Sequence, residues 1–178
     1  DSTLAARILR TVNSAAFGLT NSVDSVNRAV SYLGDKMVAG IALEICASSL
    51  YQAPLDGYMT GKGQLWRHCL RTAIASREIA KHSKTETNPE VAYTAGLLHD
   101  IGKSVLDEWL SKREPITFEA LDAGEEDFQD AEKSLIDTDH AEVGALLISA
   151  WGLPQSLQEA VRHHHSPSLA SDEYRALT

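Results

Sequence analysis

The chain has 178 residues, 43% of them hydrophobic and 23% charged, with 25 acidic against 16 basic side chains and a formal net charge of −9. That length suits one domain or two small lobes and buries a core without disulfide staples, and the apolar fraction excludes a low-complexity chain. No apolar run approaches the roughly 18 residues of a membrane span, and no concentrated basic stripe favours a nucleic-acid duplex.

Leu4, Ile8 and Val12 recur every four residues, with Leu9 and Ala16 beside them. They predict a first helix, broken by Gly18 and Asn21, with Asn13-Ser14 setting its end and the turn. Val23, Val26, Val30 and Leu33 predict a second, closed by Gly34. Asp35 is placed to cap a third, with Val38, Ile41, Ala42, Ile45 and Ser49 as its inner stripe. Pro54, Gly57, Gly61 and Gly63 then cluster and mark a boundary between an N-terminal helical lobe, 1–55, and a second lobe, 62–178.

A long helix follows from about Gln64 to His82. Asn88-Pro89-Glu90 combines a cap, a first-turn proline and a first-turn acid, and opens a helix to about Asp100 that Gly102 breaks. Val105, Leu106, Trp109 and Leu110 belong to the next, and Pro115 starts another segment. Asp139 caps a helix ending near Trp151-Gly152, with Glu142 in the capping-box position. Pro154 starts a helix that ends at the histidine run, and Ser166-Pro167 starts a last one reaching Thr178. No stretch alternates with period two, so the expected fold class is all-α. Trp66, Trp109 and Trp151 lie beside apolar helix positions and are read as core.

The charge is localised. Residues 107–142 hold 13 acidic and three basic side chains, a net of −10, and the rest of the chain carries +1. This segment is read as a solvated surface connection. An acidic cover would repel a phosphate substrate. Cys46 and Cys69, 23 residues apart with no CxxC pair, fit buried thiols or a reducing compartment. The expected localisation is cytoplasmic. Beginning at Asp1 inside a helical pattern, the sequence reads as a piece of a longer protein.

Helical geometry sorts the seven histidines. His68 shares a face with Leu65, Thr72, Ala75 and Ile79. His99 shares one with Ala92, Ala95 and Gly96, the glycine allowing close helix approach. His140 lies with Val143, Gly144 and Leu147, and His164 with Leu157 and Val161; His165 follows Val161 by one turn. These five are expected to point inward from four helices, with Asp100 beside His99. His163 follows Glu159 on a more polar side, and His82 ends a helix among lysines. A lone inward histidine is usually a satisfied core residue. Five imidazoles and an acid are hard to satisfy separately, and a metal satisfies them jointly. Imidazole and carboxylate without thiolate suit Fe, Mn, Zn or Ni. Adjacent helical residues diverge by about 100°, so His99-Asp100 and His164-His165 can each flank two neighbouring ions, with a carboxylate between them. Cys69 has no triad partner at a recognisable spacing, and no Gly-rich nucleotide loop is present.

The run Leu97-Leu98-His99-Asp100-Ile101-Gly102-Lys103 resembles the hallmark of the HD superfamily of metal-dependent phosphohydrolases. His68 matches that superfamily's first ligand. His140 with Glu142-Val143-Gly144, and then His164-His165, are similar to the extra histidines of its HD-GYP branch, which cleaves cyclic di-GMP. A closer resemblance covers the whole chain. Leu4-Ala5-Ala6-Arg7-Ile8-Leu9-Arg10, Asn13-Ser14-Ala15-Ala16-Phe17-Gly18, Ala29 to Gly34, and Leu65-Trp66-Arg67-His68 resemble the HDOD family. Its members are all-α signalling modules of bacteria, often attached to receiver, GGDEF or EAL domains.

The resemblance implies an HD-domain-like helical bundle with an N-terminal helical lobe. It implies that His68, His99, Asp100, His140, His164 and His165 hold divalent metal, up to two ions, with Fe or Mn ahead of Zn or Ni. Lys103 would face a phosphate, and Asp100 and Lys103 would be the catalytic residues of any hydrolysis. Three positions depart from the pattern. Ser166-Pro167-Ser168 stands where the HD-GYP branch has Gly-Tyr-Pro. The family's last aspartate ligand has no match, since Asp172 comes too soon after His165 and the chain stops at Thr178, as in a truncated module. Gln64 stands where some relatives place a glutamate ligand. Two functions follow as expectations. One is a signal-transduction output domain that binds partner domains and keeps a metal site. The other is a two-metal phosphohydrolase or phosphodiesterase acting on a phosphoester or cyclic nucleotide.

Overall fold

The computed structural model describes residues 2–14, 17–19, 21–113 and 128–178, without the side chains of 2, 3, 36, 43, 44 and 46–49. The expectations placed on Ala16, on the side chains of Cys46 and Ser49, on Pro115 and on most of the acidic segment lie outside the described residues. The fold is helical, and among the described residues the one strand-like pairing is an isolated bridge between Leu55 and Thr60. The chain divides into two compact units, Asp1–Ser48 and Ser49–Thr178.

The first unit contains α1 (Ser2–Val12), α2 (Val26–Leu33) and most of α3 (Asp35–Tyr51). The four-residue spacing of α1 buries Ile8 and Val12 against Val23, Ala29, Leu33 and Ile41. Asn13 ends α1 as expected. Its amide donates to Leu9 O and Val23 O at 2.9 and 2.8 Å and accepts from the Val23 N–H at 2.7 Å. Gly34 (φ 75°) closes α2, and α3 begins at once. Asp35 is therefore a first-turn acid facing the helix dipole and not the cap.

The second unit contains α4 (Gln64–His82), α5 (Pro89–Leu98), α6 (Ile101–Ser111), α7 (Phe128–Ile136), α8 (His140–Ala150) and α9 (Gln155–His163). Asn88 caps α5 by accepting from Glu90 N at 2.9 Å, and Asp139 caps α8 by accepting from Glu142 N at 2.7 Å. Glu142 does not complete a capping box; its carboxylate accepts from Thr138 Oγ1. Helices α4 and α5 pack through Gly96, where an added Cβ would lie 2.9 Å from Ala73 Cα.

Three expectations are corrected. The break after α5 falls at His99-Asp100, and Gly102 lies inside α6. A Cβ there would sit 2.0 Å from His140 O and 2.8 Å from Gly144 N, so this glycine lets α6 and α8 touch and does not interrupt a helix. Trp109 and Trp151 are 63% and 41% exposed, on the outer side of their helices, and only Trp66 is half-buried. After Ser166 the chain makes 3-10 turns at Pro167–Leu169 and Arg175–Leu177 in place of a last helix, because Ala170 returns to an extended conformation. No helix among the described residues is long and apolar enough to cross a membrane.

Candidate metal centre

The six predicted ligands meet in the second unit, mostly at helix ends. His99 closes α5, and Asp100 occupies the N-cap position of α6. An N-cap aspartate normally accepts from the backbone of its own helix. Asp100 makes no such bond. Its carboxylate, 3% exposed, turns to the imidazoles instead. His140 begins α8, His164 and His165 follow α9, and His68 reaches across from the first turns of α4.

The two oxygens of Asp100 face two groups. Around Oδ2 lie His68 Nε2 at 3.4 Å, His99 Nε2 at 3.3 Å and Lys103 Nζ at 3.0 Å. Around Oδ1 lie His140 Nε2 at 3.3 Å and His164 Nε2 at 3.7 Å. His165 Nε2 completes this inner group at 2.9 Å from His140 Nε2. In each group the donor atoms lie within 4.8 Å of one another.

Hydrogen bonding sets the tautomers. His99 Nδ1 faces Gly96 O at 2.8 Å and His164 Nδ1 faces Val161 O at 2.7 Å. His140 Nδ1 lies 2.8 and 2.9 Å from the two Glu132 oxygens. A carbonyl or carboxylate oxygen only accepts, so each Nδ1 carries a proton, and Nε2 is the nitrogen left to offer a lone pair to a metal. Two of these lone pairs, on His140 and His164, face each other at 3.3 Å. Asp100 Oδ1 is buried beside them and accepts no hydrogen bond. Lone pairs converging on an orphaned carboxylate oxygen form an electron-rich cavity that a cation satisfies. The residues therefore fit a divalent metal.

Electrostatics agrees with ligand chemistry. Burial pushes the His164 imidazole down to about 3, and burial also lowers His68, so both rings are neutral near pH 7. Burial opposes the charge on Asp100. Contact with His99 and the Lys103 ammonium overcome it and hold this carboxyl well below the usual range. Lys103 thus pairs with Asp100 and also lies 5.0 Å from the centre of the Phe128 ring. A cleft of about 510 Å³ opens beside the cluster and is lined by His68, Thr72, Ser76, His99, Lys103 and His165, among others.

The remaining candidates lie elsewhere. His163 faces Glu159 at 3.8 Å, and Gln64 accepts from Gly61 N. Asp172 is an exposed partner of Arg175 at 2.7 Å. His68 differs from its expected inward placement. Its side chain is 58% exposed, because Ala75 and Ile79 on the same face are exposed too. Burial also raises the Cys69 thiol, which leaves it protonated and unreactive.

Two residues were missed. Glu132, inside the acidic segment read as solvated, is fully buried. Its carboxylate accepts from Tyr58 Oη at 2.7 Å and His140 N at 2.7 Å, besides the His140 ring. Asp139 of the same segment is buried as well. No spacing rule joins Tyr58, Glu132 and His140, which lie on three separate elements.

Comparison with known proteins gives one family: the model for the HDOD domain matches residues 1–167. An uncharacterized protein of Treponema pallidum is 28% identical over 187 aligned residues, covering 99% of this chain and 34% of its own length. The structure is similar to a candidate signal transduction protein from Marinobacter aquaeolei VT8, with a TM-score of 0.73 and 26% identity over 99% of this chain and 40% of that one. It is also similar to a candidate phosphohydrolase from Shewanella amazonensis SB2B, with a TM-score of 0.69 and 27% identity over 99% of this chain and 61% of that one. This chain therefore spans between about a third and two thirds of the length of these relatives.

Proposed function

The chain belongs to the HDOD domain family, and from that membership we propose that it is a cytoplasmic output domain of bacterial signal transduction that carries metal as a structural and ligand-binding element. His68, His99, Asp100, His140, His164 and His165 would hold the metal, up to two ions, with Asp100 common to both groups of donors. Iron or manganese suits this nitrogen-rich set with one carboxylate better than a thiolate-preferring ion. The partners are the signalling domains to which such modules are attached, of receiver, GGDEF or EAL type. A relative described as a candidate signal transduction protein supports this reading.

The observation that carries it is the composition of the ligand set. Asp100 is the one carboxylate in either group among the described residues, and Asp172 is turned to Arg175 on the surface. The outer group has three donors and no further acid. Such a site would hold a cation through imidazole nitrogens and one shared carboxylate.

A second reading, a metal-dependent phosphohydrolase, draws on the cleft beside the cluster and on the candidate phosphohydrolase relative. Bound metal would supply electrostatic stabilisation to a phosphoester. The cleft would seat that phosphoester, and Lys103 would leave Asp100 to contact the phosphate. One experiment separates the readings. Purified domain is loaded with Mn2+ or Fe2+, counted for metal, and offered bis(p-nitrophenyl) phosphate. The output reading expects bound metal and no turnover. Turnover that disappears in Asp100→Ala establishes the enzyme instead, and a protein that cannot be loaded with either ion removes the metal from both readings.

A further inference from the structure

The geometry points to Glu132 as a positioning residue of the inner metal group: it fixes the His140 ring and tautomer so that Nε2, and not Nδ1, faces the cation. This inference rests on the metal reading above and adds to it a residue outside the ligand set.

Glu132 is a carboxylate with no exposed surface, which requires compensation from every side. Three hydrogen bonds supply it, from Tyr58 Oη, the His140 backbone N–H and the His140 ring. The backbone donor is the first N–H of α8, so the carboxylate also sits at the positive end of that helix. The anchoring is two-sided. Tyr58 stands in the 3-10 turn Asp56–Tyr58, held against α6 by the bond from Gly57 N to Asp107 Oδ1 at 2.8 Å. The carboxylate therefore cannot swing away from α8 without breaking contacts on two elements.

The consequence falls on His140. Both Glu132 oxygens lie within 2.9 Å of Nδ1, so the proton stays there and the lone pair at Nε2 points at Asp100 Oδ1. A metal-ligating imidazole is generally oriented and made more basic by an acceptor on its other nitrogen. For His99 and His164 that acceptor is a neutral carbonyl. For His140 it is a buried side-chain carboxyl group, itself pinned by Tyr58 Oη and the His140 backbone N–H, so His140 is held from two elements where the other two rings are held within their own helix ends. This buried acid of the segment 107–142 is thereby tied to the metal and not to the solvent.

The test has two arms. Nitrogen-15 shifts of His140 in the metal-free wild-type domain report the tautomer, and Nδ1–H is expected; an Nε2–H tautomer overturns the proposal. Calorimetric titration with Mn2+ then compares wild type, Glu132→Gln and Tyr58→Phe. Folded Glu132→Gln should bind roughly 10–100-fold more weakly, with a smaller loss for Tyr58→Phe. Folded Glu132→Gln with unchanged affinity overturns the proposal even if its melting temperature falls, because a purely structural role predicts that outcome. If Glu132→Gln does not fold, unchanged affinity in Tyr58→Phe together with an Nε2–H tautomer rejects it, and a loss in Tyr58→Phe with Nδ1–H supports it. A wild-type domain that takes up no Mn2+ or Fe2+ instead rejects the metal reading, and this inference with it.

Discussion

The inner group of His140, His164 and His165 and the outer group of His68 and His99 share Asp100, one oxygen each, and differ in what stands behind them. Inner Oδ1 is buried and accepts no hydrogen bond, and His140 and His164 are locked from behind by Glu132 and Val161. Outer Oδ2 already holds the Lys103 ammonium at 3.0 Å, and His68 is 58% exposed. The inner group is thus organised before any cation arrives, at the cost of an unsatisfied atom and facing lone pairs. The outer group satisfies itself with a side chain of the protein. Preorganisation lowers the ordering cost of binding, so on the metal reading the inner group is the tighter site and the outer one is filled second, against Lys103.

The largest effect that separates the groups is expected from His140→Ala. It leaves the fully buried Glu132 carboxylate without its ring partner and a cavity where the buried ring stood, and truncating a buried ring costs about 3–5 kcal/mol. Urea denaturation of the metal-free variant against wild type measures this. A loss below about 1 kcal/mol would show that the inner group is not built in advance, and the comparison would fail.

How far the sequence reaches into this comparison depends on the residue. The helices were legible because apolar spacing is a local signal: Ile8 and Val12 do bury, and Asn88 and Asp139 do cap. The converging residues were legible where they lie on an inward stripe, as His99, His140 and His164 do, or in the His99-Asp100 run, whereas His68 joins them from an exposed edge. The supports were not. Glu132 and His140 are eight residues apart on different helices, and Tyr58 is 74 residues from Glu132, so no periodicity links them. Gly102 was misread because a glycine marks a helix break and a close helix contact with the same letter. Trp109 and Trp151 were misread because adjacency to apolar positions does not fix which side of the helix a ring takes.

A smaller effect is expected from acid. Burial places the His164 imidazole at about 3 in the folded chain, against about 6.5 when unfolded. Between those values the unfolded state binds a proton that the folded state refuses. Stability is therefore full above about 6.5 and falls as pH drops, by about 1.4 kcal/mol per pH unit from this ring. Denaturation of the metal-free domain at pH 6.5, 5.5 and 4.5 follows it, and His164→Gln should flatten the slope. An unchanged slope in His164→Gln would mean that the inner ring is solvated, which erases its contrast with the outer group.

The smallest effect, and the one most specific to the outer group, is expected from His68→Ala. His68 has no described partner behind it that matches Glu132, and its removal exposes no buried charge, because Lys103 still neutralises Asp100 Oδ2. Its stability change should stay within about 0.5 kcal/mol, as for surface positions generally. Its metal content is the informative quantity. The inner ligands Asp100, His140, His164 and His165 remain, so one ion should be retained with unchanged affinity while any second ion is lost. Metal counting together with a Mn2+ titration reads both. If His68→Ala empties the domain altogether, the outer group is the primary site, and exposure at its edge marks the route by which the ion enters and not a weaker grip.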